Sequence, residues 1–568
     1  MGEHCDGPGP SGQQWIHKIG LQPSHAPPGP LAMKTARAWG ASLLGWKAEL
    51  VTVEGRFESW DRPRTEVVLT GLPDTVLRES RGKLLCALRE NRLGLGQGQL
   101  YLNLVPAARP KSGESLDLPL VLAAACAAGH LNPADLVGTL FLGEVGIDGR
   151  LHPVPGGLAA AMAARGAGSA AGPAAGPQVI TRMVAPPATA QEAAALPDLD
   201  VRVATTLAEV VGHLASTEDR LPRAQPPPPG AGRCSGPHLD DVRGQAAAKY
   251  ALSIAAAGGH GLLLVGPPGA GKTMLARRLP RLLPAPTLDE RLEATAVLAA
   301  TGRWPGGLVA ERLFRAPHHT ASYAGVIGGG ANLSPGEVSL AHGGVLFLDE
   351  LPEYRREVLE ALREPVEQGS VTISRAGRQV DFPARFLLVA AMNPCPCGYR
   401  GHPSRACTCA PGDVRRYARR LSGPLLDRID LRLELQPPTS AELAGPPATT
   451  GHAKLARGGV SLDRSGPTGP ALSELQTAVD RATEARLARG QAVPNARLGP
   501  DAIDRALPLD DKAALLLERA AEARSLSARA IQSLRRVALT LADLSEDPER
   551  NVSVHLARAL ALRQETYS

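Results

Sequence analysis

The segment GLLLVGPPGAGKT, residues 261–273, constrains this chain more than any other. A short apolar run breaks at a glycine-rich loop, and the loop gives way to MLARRLPRLL, which has helical spacing. A strand that feeds a helix through so tight a loop is the opening unit of a layered α/β sheet. The loop residues Gly266, Pro267, Pro268, Gly269, Ala270, Gly271, Lys272 and Thr273 carry the spacing G-x-x-x-x-G-K-T. Its glycines let backbone N–H groups turn inward around phosphates, Lys272 can reach β and γ oxygens, and the Thr273 hydroxyl can ligate Mg²⁺. The plainer alternative is a glycine-rich turn that arose by chance, and the next two strands argue against it.

In GGVLFLDEL, four apolar residues from Val345 to Leu348 predict a buried strand ending in Asp349 and Glu350. A carboxylate at the carboxyl end of such a strand can hold the Mg²⁺ shell while its neighbour polarises an attacking water. A third strand, RFLLVAAMNP, ends in Asn393, a side chain suited to orienting that water or sensing the γ-phosphate; alternatively it only begins the turn before Pro394. Together the three strands predict ATP hydrolysis with Mg²⁺.

The 568 residues are too many for one core. Composition shifts suggest an N-terminal α+β domain at 33–215, a Pro-rich linker at 216–236, a P-loop α/β domain at 237–435, a flexible insertion at 436–470 and a helical domain at 471–568. Residues 1–32 lack an apolar targeting core and read as a disordered tail, with Met1 or Met33 as the start. No apolar run reaches the ~20 residues of a membrane helix. Eight cysteines without an export signal predict reduced thiols and a cytoplasmic protein. A net charge of +6 suits a nucleic-acid partner without establishing one.

The order GPPGAGKT, FRAPHHTAS, GEVSLAHGGVLFLDELPE, LEALREPVEQGSVTISRAGRQVDFPARFLLVAAMNPCPCG and LSGPLLDRIDL resembles the Mg-chelatase-like AAA+ ATPases, most of all the ComM (YifB) family, over nearly all of 33–568. The resemblance implies a hexameric ring. Arg428 would be its arginine finger, reaching the γ-phosphate held by the neighbouring subunit, and Arg529 the lid arginine closing over the nucleotide, with Arg535 and Arg536 close by. Without the resemblance, Arg428 could simply pair with Asp427 or Asp430. It also implies that the hairpin VTISRAGRQVDF, turning at Ala376–Gly377, lines the pore, where Arg375 and Arg378 would contact DNA phosphates; a solvated surface hairpin is the competing reading. His318, His319 and the Gly328–Gly330 cluster would fall in an inserted region near the pore, and neither histidine is assigned to a metal.

Residues 33–215 resemble the Lon proteolytic domain, a ribosomal S5 domain 2-like fold. Ser115 in PKSGESLDLPLVLAA falls where Lon has its nucleophile, but Ala159 stands where Lon has the lysine base, so peptidase activity is rejected. The domain is then expected to act as a collar for assembly or DNA loading. Cys395, Cys397, Cys407 and Cys409, spaced C-x-C-x₉-C-x-C, could hold a tetrahedral Zn²⁺, although C-x-C is tighter than the usual C-x₂-C; reduced, unligated loop cysteines are the alternative. Three functions compete. The first is a ComM-type DNA helicase for branch migration during natural transformation. The second is a chelatase motor remodelling partner proteins, disfavoured on the expectation that such motors lack the N-terminal domain. The third is a Lon-like protease, disfavoured by Ala159.

Overall fold

A computed structural model describes residues 35–61, 64–71, 74–106, 114–169, 179–216, 218–226, 236–303, 305–330, 333–375, 378–440, 471–545 and 551–564. The expected tail at 1–32, the turn residues Ala376 and Gly377 and most of the insertion expected at 436–470 lie outside them.

The first sheet is built from β1 (Ala36–Leu44), β2 (Lys47–Ser59), β3 (Thr65–Thr70), β4 (Gly98–Val105) and β5 (Thr139–Phe141), with a two-stranded ribbon of β6 (Glu144–Val145) and β7 (Leu151–His152) beside it, and then β8 (Arg182–Ala185) and β9 (Asp200–Val203). Its order is β3-β4-β2-β1-β5-β8-β9. β1, β2 and β4 pair antiparallel, and the outer pairs are parallel. The period of two is plain in β4, where Leu100, Leu102 and Leu104 face inward and Tyr101 and Asn103 face out. The helix Asp117–Ala127 packs so close to this sheet that a Cβ on Gly55 would stand 2.8 Å from the Ala123 carbonyl oxygen. That explains a glycine in mid-strand.

The second sheet is parallel. Its strands are β10 (Leu262–Val265), β11 (Phe314–Arg315), β14 (Val345–Leu348), β17 (Leu387–Met392) and β18 (Leu431–Glu434), in the order β11-β14-β17-β10-β18. Two ribbons interrupt the sequence: β12 (Gly328–Gly329) with β13 (Ser334–Pro335), and β15 (Ser370–Arg375) with β16 (Arg378–Pro383). β10, β14 and β17 are buried on both faces, which is why each reads as an unbroken apolar run. Because β14, β17 and β10 are neighbours, their carboxyl ends fall side by side at one edge, where ligands of open parallel sheets bind.

Helices Leu472–Ala488, Pro500–Ala506, Asp511–Ala523, Ala528–Leu544 and Val552–Ala561 follow. They share one apolar core with β10, β14, β17 and β18. On the opposite face of the parallel sheet, a second core runs on into the N-terminal sheet without a break. The join is at the turn between β1 and β2. There the Trp46 indole donates from Nε1 to the Asp381 carbonyl at 2.8 Å, and Gly45 presses against Val380 and Phe382 of the β15–β16 hairpin. Among the described residues no helix is long and apolar enough to cross a membrane.

Candidate nucleotide site

β10 delivers the chain into the glycine loop, and Gly269 and Gly271 take φ of +82° and +88°, a region that residues with a Cβ enter at a cost. The helix Lys272–Ala276 begins directly after Gly271. Lys272 Nζ donates to the Gly266 carbonyl at 2.6 Å, to the Pro267 carbonyl at 3.1 Å and to Asn393 Oδ1 at 3.0 Å. Burial pulls its pKa down, and Asp349 and Glu350 pull it back up. The Thr273 hydroxyl donates to Asp349 Oδ2 at 2.7 Å. A hydroxyl beside a carboxylate is a hard-oxygen donor set that suits Mg²⁺.

Glu350 has φ of +52°, unusual for a residue with a side chain, and sits at the carboxyl end of β14. His319 Nδ1 stands 3.1 Å from its carboxylate. Sequence reading left His319 without a role, since paired histidines in a loop carry no spacing signal that ties them to an acid. Tyr354 OH, a little further on, donates to the Pro317 carbonyl at 2.5 Å and anchors the same loop. The structure thus brings Lys272 onto Asn393 and Thr273 onto Asp349, with Glu350 next in the chain.

Arg428 and Arg529 are placed together on one carboxylate. Arg428 Nε donates to Glu367 Oε2 at 3.1 Å, its Nη2 reaches the same oxygen, and its Nη1 donates to the Pro424 carbonyl at 2.7 Å. Arg529 Nη2 donates to Glu367 Oε1 at 2.6 Å. The Arg428 hydrogen bond is the first cause of the lowered Glu367 pKa. Neither acid that could have claimed Arg428 does so: Asp427 accepts from Ser527, and Asp430 accepts from His260 and Ser533. Arg535 is occupied by Asp504 and the Leu507 carbonyl. Arg529, expected to close over the same nucleotide that Arg428 reaches, shares the Glu367 carboxylate with it. Nothing in the sequence singles out Glu367 among the glutamates of LEALREPVEQG.

The β15–β16 register pairs Arg375 with Arg378, leaving two residues for the turn, and Arg375 is exposed. Gly328, at φ +117°, lies so close to the hairpin that a Cβ there would stand 2.4 Å from Ile373 Cδ1. Ser115 is buried and donates to the Ala41 carbonyl at 2.9 Å, and Ala159 is buried too. The four clustered cysteines bring their sulfurs within 4.8 Å of one another, a group that could hold a metal ion.

Family models match in three stretches: "Magnesium chelatase, subunit ChlI" over residues 238–443, "Subunit ChlI of Mg-chelatase" over 60–171 and "Magnesium chelatase, subunit ChlI C-terminal" over 471–563. The middle match carries the chelatase subunit's name onto the N-terminal region, so possession of that region does not by itself set the chain apart from chelatase motors. The chain is 36% identical over 542 residues to the competence protein ComM of Haemophilus influenzae, covering 94% of this chain and 98% of that one. It is 37% identical over 530 residues to the uncharacterized protein YifB of Salmonella typhimurium, covering 92% and 96%. To the uncharacterized YifB of Escherichia coli it is 35% identical over 530 residues, covering 92% and 96%.

Proposed function

The chain belongs to the Mg-chelatase-like ATPases of the ComM and YifB family, and on that premise we propose that it is an ATP-driven hexameric ring motor that moves DNA strands. The family implies ATPase activity with ATP and Mg²⁺. Each residue then has a task. Lys272 and the loop N–H groups neutralise the β and γ phosphates, Thr273 and Asp349 hold Mg²⁺, Glu350 polarises the water, and Asn393 orients it. Burial disfavours the charged form of Lys272, and the Asp349 and Glu350 carboxylates beside it favour that form, as bound phosphates would.

One observation carries the ring reading: the guanidinium groups of Arg428 and Arg529 sit as a pair on Glu367, while Lys272 is partnered by its own loop and Asn393. Two cations held apart from the site that needs them suit delivery to the neighbouring subunit, where they would stabilise charge on the transferring phosphoryl group. Glu367 is then a positioning residue for both. Glu367→Ala should lower kcat for ATP and leave KM near wild type.

DNA as the partner rests on the competence protein that the chain matches along almost its full length, and on the exposed Arg375 beside the hairpin turn. Branch migration during natural transformation is the specific role proposed. The Trp46 contact gives the N-terminal region a part in it, as a collar that braces the hairpin from behind. The chelatase descriptions of the family models favour a second reading, a motor that remodels partner proteins for metal insertion. Purified chain with ATP and a labelled three-stranded DNA separates the two. DNA-stimulated hydrolysis and strand displacement, both lost in Lys272→Ala, are expected. Hydrolysis indifferent to DNA, with strands left paired, favours the chelatase reading. A protease reading is disfavoured because Ala159 stands where the resemblance places the lysine base.

A further inference from the structure

The segment after β17 makes a knot whose geometry is that of a metal site. Cys395 Sγ is 3.4 Å from Cys397 Sγ and 3.6 Å from Cys407 Sγ, and Cys397 Sγ is 3.6 Å from Cys407 Sγ. A tetrahedral zinc with Zn–S near 2.3 Å places its sulfurs about 3.8 Å apart. A disulfide needs about 2.05 Å, well short of every one of these separations. Two backbone amides add N–H···S bonds of the kind that stabilise bound thiolates, Arg400 N to Cys395 Sγ at 3.4 Å and Cys397 N to Cys409 Sγ at 3.3 Å. The residues between the two C-x-C pairs are folded to close the loop. His402 Nδ1 accepts from the Ser404 and Arg405 amides at 3.1 and 3.2 Å, and Arg405 donates to the Tyr399 hydroxyl at 2.8 Å.

The knot touches the nucleotide site on two sides. Cys395 follows Asn393 by two residues, and the Asn393 amide bonds to the buried Tyr417, on the helix Pro411–Ala418 that starts just after Cys409. Gly398, at φ +84°, lies against the phosphate loop, where a Cβ would stand 2.8 Å from Pro268 Cδ. We propose that Cys395, Cys397, Cys407 and Cys409 bind one Zn²⁺ as a closed tetrathiolate site, and that this zinc knot holds Asn393 and Pro268 in place for hydrolysis. The second half of the proposal rests on the ATPase reading above; the first half stands without it.

The test uses the full chain, the Lys272→Ala variant and the double variant Cys407→Ser/Cys409→Ser. Elemental analysis should find about one zinc per chain in the first two and almost none in the third. Replacing zinc by Co²⁺ should give the intense visible bands of a tetrahedral thiolate complex. The double variant should lose about tenfold or more in kcat for ATP, the cost expected when a water-orienting group is misplaced. Should that variant not fold, zinc is stripped from the wild-type chain with a mercurial and restored, and hydrolysis should fall and return. Wild-type chain without stoichiometric zinc, or with iron in its place, overturns the site. Zinc present, with hydrolysis unchanged on its removal, overturns the bracing role. Full zinc in a wild-type chain that hydrolyses no ATP would instead fault the ATPase reading and leave the metal site standing.

Discussion

Lys272 has three oxygen partners within 3.1 Å, and phosphates would take their place on binding. Lys272→Ala should lower kcat/KM for ATP at least ~100-fold, about 2.7 kcal/mol, with the far-ultraviolet circular dichroism unchanged. A second prediction concerns Asp117, whose pKa is raised to about 7, first by burial, against the lowering pull of the Val145 amide and Lys83. A carboxyl with a folded pKa above its unfolded value prefers to stay protonated. Its cost to stability is therefore absent below about pH 4 and grows as pH rises towards 7. The melting temperature of wild type should fall over that range more steeply than that of Asp117→Asn, and parallel profiles would refute this.

At the scale of elements, the hairpin β15–β16 is the part predicted to meet DNA. Arg375→Ala should leave hydrolysis without DNA unchanged, weaken the stimulation by DNA, and reduce the slope of log affinity against log salt by about one. Trp46→Ala removes a ring that is 7% exposed and packed beneath the same hairpin. It should cost about 3 kcal/mol of stability and also blunt DNA stimulation, because the brace is gone. The elements themselves were legible. Val345–Leu348 reads as a strand of those bounds, and Leu262–Val265 and Leu387–Met392 lie inside the predicted runs, since a strand buried on both faces leaves an uninterrupted apolar signature. The glycine turn between β10 and the helix Lys272–Ala276 was legible because its conformation depends on local spacing. Glu367 with Arg529, His319 with Glu350 and Trp46 with Asp381 were not. Each joins positions distant along the chain or unmarked by composition, and only tertiary packing brings them together.

At the scale of the molecule, the helical C-terminal region is tied to the segment that carries Arg428 by buried polar groups. His260 lies between Asp430 and Thr540 at 2.8 and 2.7 Å, and Asn495 bridges Thr540 and Asp543. The continuous core on the other face joins the N-terminal sheet to the same body. Such a molecule suits a ring in which each subunit presents a phosphate cradle on one side and a pair of guanidinium groups on the other. Mixing Lys272→Ala with Arg428→Ala, each inactive alone, tests that arrangement most directly. Half of the mixed subunits keep the cradle and the other half keep the finger. ATP hydrolysis should therefore recover to about a quarter of the wild-type rate, the share of interfaces that pair one with the other. A mixture as inactive as its components, under conditions where the subunits exchange, would contradict the account.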